Sequence, residues 1–310
     1  RIKIKIKPGW DIEAVERTQA LEPFAITAVE QPVAHAHVGT LAEELAREHD
    51  VSLLVTSPFR AERLREILGL RFESVRIVEL TPGLSRGRRD HYLAERAVAR
   101  TLKDFDVGIR VATGRVPEAA APRNLLHVQA PFSPRRSPRG LWHRFRNRKA
   151  LRGYERVFFN SRFTETMVRR VAPAVPGPTV LYPPVEHEAR VPLPWNSREP
   201  VILAVGRFTD QGHPKRQMEL VGLFRRLVDE GLSGYRLVLA GSVAPDAASQ
   251  AYLRSVRAAT EGYPVEVHTD LPRRDLVELY RRARIFWHAT GLRLDEWRAP
   301  ERLEHFGIAT

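Results

Sequence analysis

The chain has 310 residues, a length that favours two domains of ordinary size. It contains no cysteine, which excludes disulfide frameworks and thiolate metal sites. No apolar run approaches the length needed to cross a bilayer and no secretory leader pattern is present, so a cytoplasmic location is expected. The formal net charge of +13 indicates an anionic partner or an arginine-rich codon bias.

The first part of the chain alternates strand-length apolar runs with helical stretches, the pattern of βαβ units around a parallel sheet. Residues 1–22 fit this pattern poorly and are assigned to an amino-terminal extension. The predicted strands are 24–30, 51–57, 75–80, 107–113, 125–128, 157–160 and 180–182. The predicted helices are 40–48, 59–68, 90–102, 141–152 and 161–171. Residues 23–185 are therefore predicted to form a Rossmann-like, doubly wound α/β domain.

A second α/β series follows a proline-rich linker predicted at residues 186–199. The predicted strands are 201–205, 237–240, 265–268 and 285–288, and the predicted helices are 215–229, 247–260 and 275–283. Residues 200–310 are therefore predicted to form a second Rossmann-like domain. Two such domains place a ligand-binding cleft at the carboxyl ends of their sheets.

The segment VILAVGRFTDQGHPK, residues 201–215, carries the first candidate site. A strand ends at Gly206, Arg207 follows it, and Lys215 opens the next helix. Two cations near a helix amino terminus suit a diphosphate, since a guanidinium binds phosphate through two hydrogen bonds and the helix end adds positive charge. The alternative is a solvated loop with ordinary surface cations.

The second candidate segment, residues 284–310, contains Glu304, His305, Phe306, Gly307 and Ile308 near its end. Glycine allows the backbone to approach a ligand closely, and the free amides of a helix beginning here would hold phosphate oxygens. The carboxylate would then lie beside a sugar. The alternative is a surface carboxylate that satisfies the helix dipole.

Taken together, these two segments resemble the carboxy-terminal domain of glycosyltransferase family 4. Members share a strand ending in Gly-Arg, a following Lys, and a motif of Glu, seven residues and Glu. The matching residues are Gly206, Arg207 and Lys215 in the first segment and Glu304, Phe306, Gly307 and Ile308 in the second. LVLAGS at 237–242 and DLVELYRRARIF at 275–286 lie between them in the family's order. The second Glu would fall beyond Thr310, so the carboxy-terminal domain is expected to be incomplete.

A weaker resemblance covers the amino half. HVGTLAEELAREHDVSLLVTS at 37–57 is similar to the family's glycine loop, helix and second strand, with Gly39 standing where many members have two glycines. NLLHVQAPF, YERVFFNSRFTETMVRR and LYPPV resemble the segments that line the acceptor side and end the first domain. HPK, with WHATG before EHFG, resembles the branch of lipid-linked or cell-surface mannosyl and related transferases.

The resemblance implies a GT-B fold, with two Rossmann-like domains facing across a cleft. It also implies a retaining, metal-independent hexosyltransferase. The donor would be a UDP- or GDP-type nucleoside-diphosphate sugar, and the acceptor a glycan, a lipid-linked or a small-molecule hydroxyl, with no bound cofactor. Arg207, Lys215 and the amides near Gly307 would stabilise the leaving diphosphate. Glu304 would orient the donor sugar.

Two residues of the amino half have implied roles with open alternatives. His127 would contact the reacting sugar, or else be a hydrogen-bonded packing residue. Gly39 would let a loop approach the donor diphosphate, or else be an ordinary helix-entry glycine. The other histidines are expected to be structural or exposed.

A basic segment, residues 135–152, has eight Arg or Lys residues and no acid, interleaved with Leu141, Trp142 and Phe145. Its predicted partner is an anionic membrane surface or a phosphorylated acceptor, and peripheral location on the inner face of the plasma membrane would follow. The contacting residues are predicted to be Arg144, Arg146, Arg148 and Lys149. A solvated arginine-rich loop is the alternative.

Two other functions are also compatible with the sequence. One is a GT-B sugar epimerase or phosphorylase, which would need different groups in the cleft. The other is a nucleic-acid-binding protein, favoured by charge alone; the sequence has no recognised nucleic-acid motif, so no nucleic-acid partner is expected.

Overall fold

The computed structural model describes residues 24–28, 32–56, 72–80, 88–134, 137–183, 193–211 and 213–307. The chain divides into two compact units. Unit 1 comprises Arg1–Pro184 with Trp297–Glu301, and unit 2 comprises Val185–Glu296 with Arg302–Thr310. The predicted extension at 1–22, the helix predicted at 59–68 and residues 186–192 of the predicted linker lie outside the described residues.

Unit 1 is built on a seven-stranded sheet in the order β3-β2-β1-β4-β5-β6-β7, and every neighbouring pair is parallel. The strands are β1 Phe24–Ala28, β2 Val51–Val55, β3 Val75–Glu79, β4 Val107–Thr113, β5 Arg123–Ala130, β6 Arg156–Phe159 and β7 Pro178–Val180. Strands β4 and β5 are buried along most of their length, as expected when helices cover both faces of a parallel sheet. The order reverses between β1 and β4, which is the point where doubly wound sheets bind ligands.

The described helices of unit 1 are α1 Pro32–Leu45, α2 Arg88–Thr101, α3 Pro138–Leu151 and α4 Arg162–Val171. Ser137 and Ser161 cap the last two, each side chain accepting a hydrogen bond from a backbone amide of the first turn. Helix α1 begins at Pro32, whereas the sequence predicts a helix start at Thr40. Gly39 is therefore buried inside a helix, and the predicted loop at this glycine is wrong. Proline is well suited to a first helical position, which accounts for the earlier start.

Unit 2 has a four-stranded parallel sheet in the order β10-β9-β8-β11. Its strands are β8 Glu199–Val205, β9 Arg236–Gly241, β10 Val265–Thr269 and β11 Ala283–Phe286. Its helices are α5 Gln217–Asp229, α6 Ala247–Thr260 and α7 Arg273–Arg282. The prediction of two α/β units with parallel sheets is confirmed. Within the described ranges, no helix is both long and apolar enough to span a bilayer.

Candidate functional site

The candidate site of unit 2 lies at the carboxyl ends of β8 and β11, which meet at one edge of the sheet because the two strands are parallel. Strand β8 ends at Val205, and the chain turns through Gly206 and Arg207. The following loop folds back, since a Cβ atom on Gly206 would lie 3.0 Å from the Cβ and 3.1 Å from the Cδ of Lys215. A side chain at position 206 would therefore displace Lys215.

Gln217, the first residue of α5, fixes this turn. Its side chain is 3% exposed. Its Nε2 donates to the carbonyl oxygens of Gly206 at 3.0 Å and Arg207 at 2.9 Å. Tyr252 donates its hydroxyl to Gln217 Oε1 at 3.3 Å, which leaves the amide nitrogen facing the turn. No sequence pattern identifies Gln217 as a site residue.

Glu304 links the carboxy-terminal segment to this turn. Its carboxylate accepts hydrogen bonds from Lys215 Nζ and, at 3.3 Å, is paired with His288 Nε2. Burial alone would raise the pKa of Glu304, but hydrogen bonds from His288 and Lys215 and the charges of Lys215 and His213 outweigh it and lower the pKa to about 2. Glu304 is therefore ionised at neutral pH.

His213 belongs to the same cluster. Its Nε2 is hydrogen-bonded to the carbonyl oxygen of Leu303, which can only accept, so Nε2 carries the proton. Burial lowers the pKa of His213; the Leu303 carbonyl and Glu304 oppose this, and the charges of Lys215 and Arg207 lower it further. The pKa of His213 therefore lies below its ordinary value, and the Arg207 guanidinium is one of the charges that lower it.

The structure thus brings together several predicted site residues and adds others. Arg207, Lys215 and Glu304 lie in one cluster of unit 2, together with His213 and His288, for which the sequence predicts no site role. Phe306 and Gly307 follow Glu304 and are partly buried in a non-helical segment. Ile308, and the helix predicted to start at this point, lie outside the described residues.

The arrangement supplies fixed positive charge beside an ionised carboxylate. A lysine ammonium has three donors, so Lys215 can serve Glu304 and a phosphate oxygen together. Arg207 makes no ion pair with any residue that the structure describes, and its forked donors suit a phosphate. Among the described residues no group of three or more His, Asp or Glu side chains is arranged to hold a metal ion.

In unit 1, His127 lies on β5 in register with Val111 and Phe158 and is 2% exposed. These two neighbours belong to the hydrophobic cluster that includes Val38 of α1. Its burial fits the packing interpretation. A contact between His127 and a sugar stays a prediction, as does a role for Gly39.

The four predicted cations of α3 have different environments. Arg144 lines a recess of about 610 Å³ at the carboxyl ends of β4 and β5. The guanidinium of Arg146 lies 5.0 Å from the ring centre of Trp142. Arg148 donates its Nε to the carbonyl oxygen of Val171 at 2.7 Å, which ties α3 to α4. Lys149 is exposed.

No protein-family model matches the chain, and no curated protein matches it in sequence. Solved structures do match. The chain is similar to α,α-trehalose 6-phosphate synthase from Burkholderia multivorans, with 13% identity over 92% of this chain and 82% of that one, at a TM-score of 0.58. It is similar to UDP-N-acetylglucosamine 2-epimerase from Rickettsia bellii, with 11% identity over 87% and 74%, at a TM-score of 0.54.

A third similar structure is Phytolacca americana UGT2 complexed with UDP-2-fluoro-glucose and pterostilbene, with 12% identity over 86% of this chain and 76% of that one, at a TM-score of 0.52. At such identities the likeness concerns the fold alone. The family 4 and mannosyl assignments stay predictions. Each of the two units has the Rossmann-like fold found in the domains of GT-B proteins, a class that contains both sugar transferases and an epimerase.

Proposed function

We propose that the protein is a glycosyltransferase that moves a sugar from a nucleoside-diphosphate donor to a hydroxyl acceptor. The observation that carries this proposal is the convergence of Lys215, Glu304 and His288 where β8 and β11 end, with Arg207 beside them. Residues that share no sequence neighbourhood meet at the sheet edge where doubly wound folds bind nucleotides. Similarity to a structure holding UDP-2-fluoro-glucose supports the same class of donor.

The proposed chemistry follows from the charges of this cluster. When the bond between the sugar and the diphosphate breaks, negative charge grows on the leaving phosphate, and Arg207 and Lys215 stabilise it as groups already in place. The amides near Gly307 add further donors. No metal ion is required in this scheme.

Glu304 acts on the sugar. Its carboxylate is ionised at neutral pH, so it accepts hydrogen bonds from donor hydroxyls and offsets the positive charge that develops on the ring. The acceptor hydroxyl attacks from the face that the diphosphate leaves, and a phosphate oxygen takes the hydroxyl proton. The anomeric configuration is thereby retained.

A sugar epimerase is the second candidate, because His213 and His288 lie beside Glu304 and could serve as acid and base groups. The two functions differ in what happens to the donor without an acceptor. An epimerase converts the nucleotide sugar into its epimer, whereas a transferase leaves the donor intact. Chromatography of the nucleotide sugar after incubation with the protein alone separates these cases.

We also propose that α3 rests on an anionic membrane surface. Leu141, Trp142 and Phe145 are 51%, 54% and 67% exposed, and Arg146 and Lys149 lie on the same helix. Large apolar side chains flanked by cations are typical of helices that lie in the headgroup region of anionic membranes. An acceptor carried by a lipid would then be presented at this surface.

The experiment that tests the transferase proposal is a thermal-shift panel of UDP-, GDP- and ADP-sugars. A ligand at a hundred times its dissociation constant stabilises a protein by roughly 2.7 kcal/mol. One nucleotide series should raise the melting temperature, and Arg207→Ala should abolish that rise. A folded protein that responds to none of the three series would contradict the proposal.

A further inference from the structure

The recess of unit 1 is a second concave site, separate from the cluster of unit 2. Its walls are the carboxyl end of β4 with the loop that follows it, the loop after β5, and the first turns of α3. The volume of about 610 Å³ lies in the range of small-molecule sites. The cationic residues on its walls are Arg115, Arg139 and Arg144, with His143 beside them.

Hydrogen bonds from α3 fix the position of the loop that carries Arg115. Asn147 of α3 is buried; its Nδ2 donates to the carbonyl oxygen of Gly114 at 3.0 Å, and its Oδ1 accepts from the amide of Val116 at 3.1 Å. Gly114 has a φ of 112°, a conformation that side chains rarely adopt. The loop between β4 and β5 is therefore fixed on both sides of Arg115.

The wall formed by α3 is equally well defined. Ser137 caps the helix and accepts a hydrogen bond from the amide of Gly140 at 3.2 Å. Arg139, His143 and Arg144 follow within two turns. Because the recess lies against the first turns of α3, the partial positive charge of the helix amino terminus adds to that of the arginines.

The positive charge of the recess is largely uncompensated. Arg115, Arg139 and Arg144 form no ion pair with any residue in the described parts of the chain. Within those parts, Glu301 is the one carboxylate on the wall, where it accepts a hydrogen bond from Ser133 Oγ at 3.3 Å. Three guanidiniums against one carboxylate leave a net positive site.

The pKa of His143 is lowered by the same positive charges. Burial lowers the pKa of His143, and the charges of Arg139, Arg146 and Arg115 lower it further. These like charges repel one another, so an anion bound among them relieves that repulsion as well as forming hydrogen bonds.

We propose that this recess binds a phosphoryl group of the sugar acceptor, so that the acceptor is a phosphorylated molecule. This inference rests on the proposed transferase function and names the substrate class of its acceptor side. Guanidinium groups match the geometry of phosphate oxygens through paired hydrogen bonds. Glu301 and Ser133 supply polar groups suited to acceptor hydroxyls. A soluble sugar phosphate and a lipid-linked diphosphate share this chemistry.

The test uses the full chain carrying Arg207→Ala, which removes a predicted donor-phosphate contact. Glucose 6-phosphate, a short-chain isoprenyl diphosphate and unphosphorylated glucose are titrated by calorimetry. The phosphorylated probes should bind, and glucose should not. Adding Arg139→Gln and Arg144→Gln together should raise the dissociation constant about tenfold or more, as expected for lost charge-assisted hydrogen bonds. Arg144→Lys with Arg139 intact should weaken binding less than the double substitution, because lysine keeps the charge but not the paired hydrogen bonds.

Arg152→Gln is the matched control, since this exposed arginine ends the same helix away from the recess and should change the affinity by less than about twofold. A preference for glucose 6-phosphate supports a soluble acceptor, and a preference for the diphosphate supports a lipid-linked one. The subsite is contradicted if glucose binds as well as its phosphate, if the double substitution has no effect, or if Arg152→Gln weakens binding equally.

The same proteins separate this inference from the proposed function. With Arg207 restored, nucleoside diphosphates should bind the Arg139→Gln, Arg144→Gln protein as tightly as the wild type. A wild-type protein that binds the sugar phosphate but no nucleoside diphosphate would overturn the transferase proposal. The proposal of an anion site in the recess would still stand. Retained nucleotide binding without sugar-phosphate binding would overturn the subsite alone. Melting temperatures of all variants establish that each is folded.

Discussion

Lys215 and Glu304 are 89 residues apart in sequence and form an ion pair in unit 2. The pair connects the loop after β8 to residues 302–307. In the proposed mechanism its two members act on different parts of one ligand, because Lys215 faces the diphosphate and Glu304 faces the sugar. Substitutions at the two positions should therefore have different kinetic effects.

Glu304→Gln should lower kcat while leaving nucleotide binding intact. The amide keeps the shape of the side chain but removes the charge that stabilises the developing sugar cation, so kcat should fall by about 10²-fold to 10³-fold. The dissociation constant of the nucleoside diphosphate should stay the same or fall, since Lys215 is released from its partner. Steady-state kinetics with calorimetry check both parts. A variant that loses nucleotide affinity but keeps kcat would contradict the assignment.

The ion pair also predicts a pH dependence of stability. The pKa of Glu304 in the folded protein is about 2, below its ordinary value of 4.5, so its charge stabilises the fold above about pH 4.5 and this contribution is lost as the pH falls towards 2. At pH 7 wild type should exceed Glu304→Gln in free energy of unfolding by about 2 kcal/mol, allowing for the partial exposure of the pair. Urea unfolding at pH 7 and pH 3 should show this gap narrowing. An unchanged gap would mean that the carboxylate is not held by its partners.

Gln217 is expected to be a positioning residue for the donor site. Gln217→Met conserves volume but removes the amide that holds the carbonyls of Gly206 and Arg207, so Arg207 should lose its fixed position. The dissociation constant of the nucleotide should rise by about tenfold while the protein stays folded. Gln250→Met is the control, because Gln250 donates to an exposed carbonyl of the same unit. If the two substitutions change nucleotide binding equally, Gln217 has a structural role and does not position Arg207.

Membrane association is tested by sedimentation with vesicles. Wild type should bind vesicles rich in anionic phospholipid and should bind zwitterionic vesicles much more weakly, with binding that decreases as salt increases. Trp142→Ser with Phe145→Ser should weaken binding by about tenfold or more through lost apolar burial. Tyr92→Ser removes an exposed aromatic ring from α2 and should have little effect. If vesicle binding changes neither with lipid charge nor with the double substitution, α3 is not the membrane contact.

Much of the fold could be predicted from the sequence because its strands are buried on both faces and appear as continuous apolar runs, as β4, β5, β8 and β9 show. The start of α1 could not be predicted. Gly39 looks like a loop glycine in isolation, but the structure buries it inside a helix whose neighbouring Val38 packs in the core. Local propensity gives way to tertiary packing at this position.

The candidate site was predictable only where cations and a carboxylate stand in a recognisable spacing, as at Arg207, Lys215 and Glu304. The hydrogen bond between His213 and the Leu303 carbonyl depends on a contact between residues 90 positions apart in the chain. No local pattern encodes such contacts. The recess of unit 1 could be predicted only in part, since Arg139 and Arg144 belong to the basic segment but Arg115 follows β4 and meets them only in the fold.

The most direct measurement of the central claim is the affinity of the nucleoside diphosphate for site variants. When UDP, GDP and ADP are titrated into wild type by calorimetry, one of the three nucleotides should bind. Arg207→Ala and Lys215→Ala should each raise the dissociation constant of that nucleotide about tenfold or more. Arg226→Ala, which removes an exposed cation from α5, should leave the affinity unchanged. Wild type that binds none of the three, or binding that survives loss of both Arg207 and Lys215, would contradict a diphosphate site in this cluster.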